Sequence, residues 1–583
     1  MSDLPSRAED RRTFRSARSV LAGRNGRPSI ADIAYLAYAG GLAVLIAGAP
    51  LVRLAVIGLL APEAFTALGQ DRFGVGASIV AALAVLLVVS GGSVRGPVVP
   101  RPSAVQFLAD SPLPRRMTLR RPFVLSSLAL VVGGILIGGI VAISRLIGVD
   151  GGGGAASDRA GSGDPAVPAT VTAGTDPQYT ISADGDSASV SILMLGGPPP
   201  TAETVIPFLV GVVAFTVFLA VVWLAAQRRA RGVVWGLAGA VVLTSAIALL
   251  TPSVLAFTPW GWIGLLWAQL VGGVVGPVEA GGSFAFVAGS AVWWPAVALV
   301  LVALAVFAVP RLLDGLRSAD LLEQSRRWQS VSVLVQTGDA AGAAGHLRPP
   351  PSRGRRIHLP MPRSLALAAV LRSIVGLLRY PVRAVVGSAV LLACGFAVVA
   401  SMNLPDGVGW VLAVPLGLVV FLAIGVWCDG VRQGVASAGT PTLYGRTPTE
   451  LVLVASIAPF VAALVLGGIG AAMAIVSFGA PIAGFAWWCA LVVFSVVLRV
   501  FDAAKGPLPI GLLMPVSTPV GDVSHLNVLL WQSDAVLLAL VVGGGLTAFA
   551  PSLEAFGYVW LLAATLIVGL IASYRLQKLS APA

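Results

Sequence analysis

The sequence predicts an all-α, polytopic helical membrane protein with about 12 transmembrane helices in two weakly similar six-helix halves. Three observations carry that prediction. Of 583 residues, 57% are hydrophobic and only 11% charged, at a mean hydropathy of +0.90, whereas a soluble chain carries about 25% charged residues. Apolar runs of about 20 residues, long enough to cross a ~30 Å hydrocarbon layer as a helix, recur along the whole length. The basic residues cluster between those runs, on alternate sides.

In chain order, spans are expected at 31–52, 74–94, 123–147, 204–226, 232–251, 285–309, 384–404, 410–428, 451–478, 482–500, 535–550 and 555–573. Residues 1–30 hold seven arginines among polar residues, and the apolar run behind them is too long for a cleavable signal core. Twelve spans place both termini on one side. Arginine identifies that side as cytoplasmic, because 34 of the 38 basic residues then lie inside and only Arg53, Arg72, Arg145 and Arg159 do not. Shifting any one span of the first half spoils this bias, while the charge-poor loops of the second half constrain it less. Only Lys505 and Lys578 among the basic residues are lysines, a skew that, with the Ala, Gly and Val content, points to a GC-rich bacterial genome and a bacterial plasma membrane. The net charge of +12 thus belongs to the membrane face, and no nucleic-acid partner is expected.

The expected organisation is a first six-span half, 1–309, a basic cytoplasmic linker, 310–383, and a second six-span half, 384–583. The outer loop 148–203 is rich in Gly, Asp, Ser and Pro and reads as flexible, apart from an alternating patch at 180–195 that fits a strand. Residues 261–277, WIGLLWAQLVGGVVGPV, are apolar but glycine-broken and too short to span. A re-entrant outer helix there keeps the linker inside, and Trp260, Trp262 and Trp267 suit an interface. In the linker, apolar residues at 312, 313, 316, 321, 322, 328, 331 and 335 make a helical stripe. A breaker, HLRPPPSRGRRIHLPMP, follows. Residues 363–383 then read as an amphipathic surface helix with Arg363, Arg372, Arg379 and Arg383 at the head groups.

Short echoes relate the halves. GSVRG (92–96) is matched by GVRQG (430–434), and PFV recurs at 122 and 459, followed by GGI at 133 and 467. Their common order fits a parallel repeat about an axis normal to the membrane.

The chain carries little chemistry of its own, and no enzymatic activity, cofactor or metal is expected. No GxxxxGK phosphate loop, HExxH, Cys-pair spacing or GxSxG elbow occurs. Cys394, Cys428 and Cys489 sit far apart in apolar runs and read as buried small side chains. All 26 acidic residues fall in loops or near span ends. Ion-coupled transporters normally place such a group near the bilayer centre, so this distribution weakens, without excluding, coupled transport. Gly-rich stretches at 467–474 and 541–545 read as sites of close helix packing.

Two loops are distinctive. Residues 95–122, RGPVVPRPSAVQFLADSPLPRRMTLRRP, hold six arginines, six prolines and a single acid, Asp110, which suits a stiff docking surface at the membrane face. Residues 505–534 combine Pro507, Pro509, Pro515 and Pro519 with Asp522, His525, Trp531 and Asp534, and their 510–516 portion is apolar enough to enter the membrane.

The order of parts (basic N-terminus, two spans, a cytoplasmic loop, three spans, a re-entrant outer helix, a sixth span) resembles the membrane subunit of type-2 ATP-binding-cassette exporters, with two such halves fused. FLADSP (107–112) with Arg115, Arg116, Leu119, Arg120 and Pro122 is similar to a segment of actinobacterial permease-type proteins, and STPVGD (517–522) with Ser524 to a second one. The resemblance implies a separate cytoplasmic ATPase that binds these loops, and export of lipids, drugs or glycans. The candidate ATPase-docking residues are Asp110, Arg115, Arg116, Arg120, Arg121, Arg432 and Arg446. The second half departs from the family in lacking an outer re-entrant helix between its last two spans. The leading expectation is therefore an export permease without its own ATPase. A non-transporting scaffold of a cell-envelope process and an ion-coupled secondary transporter remain the alternatives.

Overall fold

The computed structural model describes residues 71–580 apart from 93, 110–112, 151–177, 185–186, 194–201, 229–230, 249–251, 271–292, 337–339, 347–361, 405, 439–444, 507, 514–516, 519–520 and 523. The expected span 31–52, Asp110, most of the outer loop and the second half of 261–277 lie outside the described residues. Contacts divide the chain into two compact units, Met1–Gln329 and Ser330–Ala583.

The first unit contains α1 (Asp71–Gly92), α2 (Arg115–Asp150), a hairpin of β1 (Gln178–Asp184) and β2 (Ser187–Leu193), α3 (Ala202–Gln227), α4 (Arg231–Ala248), α5 (Pro259–Leu270) and α6 (Trp293–Asp314). It also holds most of α7 (Ser318–Gln336). The expected strand at 180–195 falls in this antiparallel hairpin, in which Asp184 pairs with Ser187. Helix α3 is the hub of the unit: it packs on α1, α2, α4, α5 and α6. By contrast α2 keeps Leu125, Leu128, Val132, Leu136 and Ile137 exposed, an apolar face suited to lipid. Helix α5 is the start of the expected re-entrant segment. Its Trp260 and Trp262 are buried in protein, and Trp267 meets Phe208 edge-to-face at 6.4 Å.

The second unit holds α8 (Ala340–His346), α9 (Leu365–Leu378), α10 (Pro381–Ser401), α11 (Asp406–Ile424), α12 (Asp429–Ala436), α13 (Pro448–Phe478), α14 (Ala483–Ala503), α15 (Ser524–Leu538) and α16 (Gly545–Ser580). A π-helical segment, Ala539–Gly544, joins the last two. The amphipathic helix expected at 363–383 is shorter: α9 ends before Tyr380, because Pro381 opens α10 and supplies no N–H to continue a helix. The core forms around α14, which buries Trp487, Trp488, Leu491, Phe494 and Leu498. The glycine-rich stretches do bring backbones together. Gly395 and Gly470 lie where α10 and α13 cross, and Gly417 meets the π segment at Gly543 and Gly544.

Seven described helices are long and apolar enough to cross a membrane: Arg115–Ile143, Val205–Gln227, Pro381–Ser401, Pro448–Val476, Ala483–Ala503, Asn527–Leu553 and Ala555–Ser580. Two further pairs pass that test only together. Leu299–Asp314 and Ser318–Val335 meet at 91°, and Leu412–Ile424 and Asp429–Ala436 at 68°. The chain is a multi-pass helical membrane protein. Of the twelve expected spans, 74–94 and 232–251 are helical as α1 (Asp71–Gly92) and α4 (Arg231–Ala248). Those at 285–309 and 410–428 are limbs of the two bent pairs. Hydropathy along a window is blind to such bends.

Candidate functional site

In the first unit the distinctive loop 95–122 is held from beneath. Its opening, RGPVVPR, forms no strand or helix of its own, so its backbone polar groups need partners from elsewhere. Side chains supply them. Trp223 Nε1 donates to Arg95 O at 2.7 Å and Ser126 Oγ to Pro97 O at 2.7 Å. Gln227 grips Val98 at both ends, accepting from its N–H at 3.2 Å and donating to its carbonyl at 2.6 Å. The same amide nitrogen donates to Gln324 Oε1 at 2.9 Å, and Ser325 Oγ donates to Pro100 O. Gly96 is required here: a Cβ on it would lie 1.9 Å from Gln227 Cδ. The guanidinium of Arg95 stacks 4.2 Å above the Trp328 ring.

Beyond Arg101 the loop forms a helical turn, Pro102–Ala104, that runs into the π-helical turn Val105–Ala109. Val105 points inward and joins Val98, Leu119, Phe123, Leu224, Leu313, Leu316 and Leu321 in one apolar cluster. Phe107 points outward and stays 58% exposed. At the far end of the loop, Asp314 accepts from the backbone N–H of Arg116 at 2.9 Å, in the first turn of α2, where a carboxylate satisfies an orphan donor and opposes the helix dipole. Arg115 donates to the carbonyl of Leu316.

The predicted docking residues therefore separate. Arg115 is a clamp between α2 and the α6–α7 bend. Arg116, Arg120 and Arg121 are exposed, as are Arg101 and Phe107, and Arg116 also lies 4.0 Å from the Asp314 carboxylate. In the second unit, Arg432 pairs with Asp429 at 3.6 Å and Arg446 with Glu450 at 3.6 Å, while Asp429 also takes a two-point bond from Arg383 at 2.8 and 3.2 Å. Replacing Gln227 with Leu strands both polar groups of Val98. The expected cost is about 2 kcal/mol, with faster amide exchange confined to residues 95–101, measured by hydrogen–deuterium exchange.

The second unit contains a charged constellation that sequence reasoning missed. Helix α11 ends in a tightened turn: the N–H of Gly425 bonds Leu422 O at 3.1 Å, leaving the carbonyl of Phe421 without a helical donor. Arg499, in the last turns of α14 and 7% exposed, fills that vacancy. Its Nε and Nη2 donate to Phe421 O at 2.8 and 2.6 Å, and its guanidinium lies 3.6 Å above the Phe421 ring. The cation also opposes the negative end of the α11 dipole. From Arg499 a chain of alternating charge runs outward. Arg499 contacts Asp502 at 3.7 Å, Asp502 contacts Lys505 at 3.4 Å, Lys505 bonds Asp534, and Asp534 contacts Arg575 at 3.5 Å. Lys505 Nζ further donates to Gln532 O at 3.0 Å. The chain thus ties α14, α15 and α16 together where the 505–534 segment leaves and rejoins the bundle. Within that segment lie a 3₁₀ turn, Ile510–Leu513, and a small hairpin pairing Ser517–Thr518 with Gly521–Asp522.

A signal for this chain was present. Arg499, Asp502 and Lys505 are spaced by three, so they line one helical face at a span end; Asp534 and Arg575 lie too far along the chain to be linked by spacing. Arg499 is well placed to lock the 68° bend, since both helix ends at the break are answered by the protein's own groups, Arg499 at the end of α11 and Asp429 at the start of α12. Among the described residues, no three His, Cys, Asp or Glu side chains converge as a metal site, and Cys394, Cys428 and Cys489 are free thiols, the first two buried. Comparison with family models, with curated proteins and with solved structures finds no match.

Proposed function

We propose that this chain is the permease-type membrane subunit of an ATP-binding-cassette exporter, lacking its own ATPase and moving an apolar or amphipathic substrate by alternating access. In this reading twelve spans form two six-span halves in a bacterial plasma membrane, with both termini cytoplasmic. A separate ATPase grips residues 95–122 and, more weakly, 429–450 and 310–340. The observation that carries the proposal is the stitched connector. Side chains of α2, α3 and α7 hold its backbone, so a push on its outer face is passed to those helices rather than absorbed by a loose loop. The exposed side chains of this segment include an aromatic, Phe107, and the arginines Arg116, Arg120 and Arg121, the residue types that dominate interface energetics. The missing phosphate loop supplies the reason for a partner. Ion coupling is less favoured, because the unwound carbonyl at the α11–α12 break, where a broken helix would hold a cation, is occupied by Arg499.

A second reading, a non-transporting scaffold, is favoured by Arg432 and Arg446, which are paired with acids of their own unit. Replacing Arg116, Arg120 and Arg121 together by Ala, while keeping the Arg115 clamp, distinguishes the two. Loss of a Walker-motif ATPase from the purified complex by at least about tenfold is expected, the equivalent of ~1.4 kcal/mol. Undiminished co-purification and export would sink the proposal.

A further inference from the structure

The unit-one helix α3 carries an uninterrupted stripe of clefts that ends on an arginine. Gly211, Ala214, Phe215, Phe218, Val222 and Ala225 recur at helical spacings of three and four, and Arg228 falls three residues after Ala225, on the same face. Helical geometry persists to that point, because the N–H of Arg228 bonds Leu224 O at 3.2 Å. Two apolar clefts follow the stripe and share Phe218. One opens between α3, α5 and α6. The other, the roomier, is walled by Val89 of α1, Val222 and Ala225 of α3, Leu237 of α4 and Ala305 of α6.

We infer that the second cleft holds one acyl chain of an anionic phospholipid whose head group meets Arg228. The inference does not depend on transport. Three arguments converge on this occupant. The lining is wholly hydrocarbon, so water entering it would find no polar partners. Four helices already in place wall the cleft, α1, α3, α4 and α6. The length also fits. From Phe218 to Arg228 the helix rises by about 15 Å, half of a ~30 Å hydrocarbon layer and so the depth of one leaflet. A chain ending at Phe218 therefore leaves its phosphate level with Arg228. That guanidinium is exposed and lies over Gly315, where a Cβ would come within 2.5 Å of Nε. Gly315 thus clears the room the arginine uses. A zwitterionic head group also offers a phosphate but carries no net charge, so it attracts the arginine less than an anionic one does.

The test uses the full-length protein in nanodiscs of phosphatidylcholine containing a trace of either phosphatidylglycerol or phosphatidylcholine with a diazirine on one acyl chain. After illumination, label is expected on residues 218–228, with about a fivefold preference for the anionic lipid, the effect of one arginine near a charged head group. Arg228→Gln should abolish the preference without moving the melting temperature, and Arg228→Lys should retain most of it. Ala225→Leu, which fills the cleft, should reduce labelling of this peptide by both lipids; if that variant fails to fold, the Arg228 pair decides. Equal labelling by the two lipids in the unaltered protein, or label confined to the exposed face of α2 around Leu128 and Leu136, would overturn the inference.

Discussion

Replacing Arg499 with Ala is expected to destabilise the second unit by about 3–5 kcal/mol, the usual cost of removing one partner from a buried charged contact. Three losses combine. The carbonyl of Phe421 loses both its donors at the end of α11. Asp502 is left to Lys505 alone. A void opens against the Phe421 ring. Lysine at 499 keeps the charge but not the planar fork, and should recover less than half of the loss. Thermal unfolding of the purified protein, followed by tryptophan fluorescence, checks the order wild type, Lys, Ala. Adding Asp502→Asn to the Ala variant should then cost only what the remaining Asp502–Lys505 contact contributes, because the Arg499–Asp502 contact is already broken.

The second large effect is steric. A methyl on Gly395 would lie 1.8 Å from the carbonyl oxygen of Gly467, and one on Gly470 1.9 Å from that of Leu392. In both cases the obstacle is backbone, which cannot swing aside, so α10 and α13 must separate. Gly395→Ala or Gly470→Ala is therefore expected to cost about 3 kcal/mol, the upper end of ordinary overpacking. Gly468→Ala is the internal control. Its methyl would meet only Phe485, at 3.5 Å, and alanine's better helix propensity should leave stability unchanged or raised by about 0.5 kcal/mol. If all three variants melt alike, close backbone approach is not what holds these helices.

How much of this the sequence discloses depends on which physical effect governs each part. Long apolar runs disclose helices well, since burying backbone polar groups in lipid leaves few other options. Close packing at 467–474 is legible for the same reason, because small residues in an apolar run have little other use. The bends are not legible. At 425–428 and at 315–317 the chain turns where a carbonyl finds a distant donor, Arg499 for Phe421 O and Arg115 for Leu316 O. Those partners sit 78 and 201 residues away in sequence. The loop 95–122 was recognisable as basic and stiff, but not that Gln227, Gln324 and Ser325 would hold it, since isolated polar residues near span ends look like ordinary surface. That contact changes the role of Arg115, from a docking residue to a clamp, and leaves Arg116, Arg120 and Arg121 as the outward-facing set.

Site-specific photo-crosslinking from position 107 in the native host tests the central claim most directly. Phe107 is exposed, on a turn whose neighbour Val105 is anchored in the core. With a photoreactive phenylalanine analogue at this position, illumination should yield one dominant protein adduct. Mass spectrometry should identify it as an ATPase carrying a Walker motif, and its yield should change when cellular ATP is depleted. Adducts to lipid alone, or to proteins without a nucleotide-binding motif, would contradict the assignment of this surface as the ATPase dock.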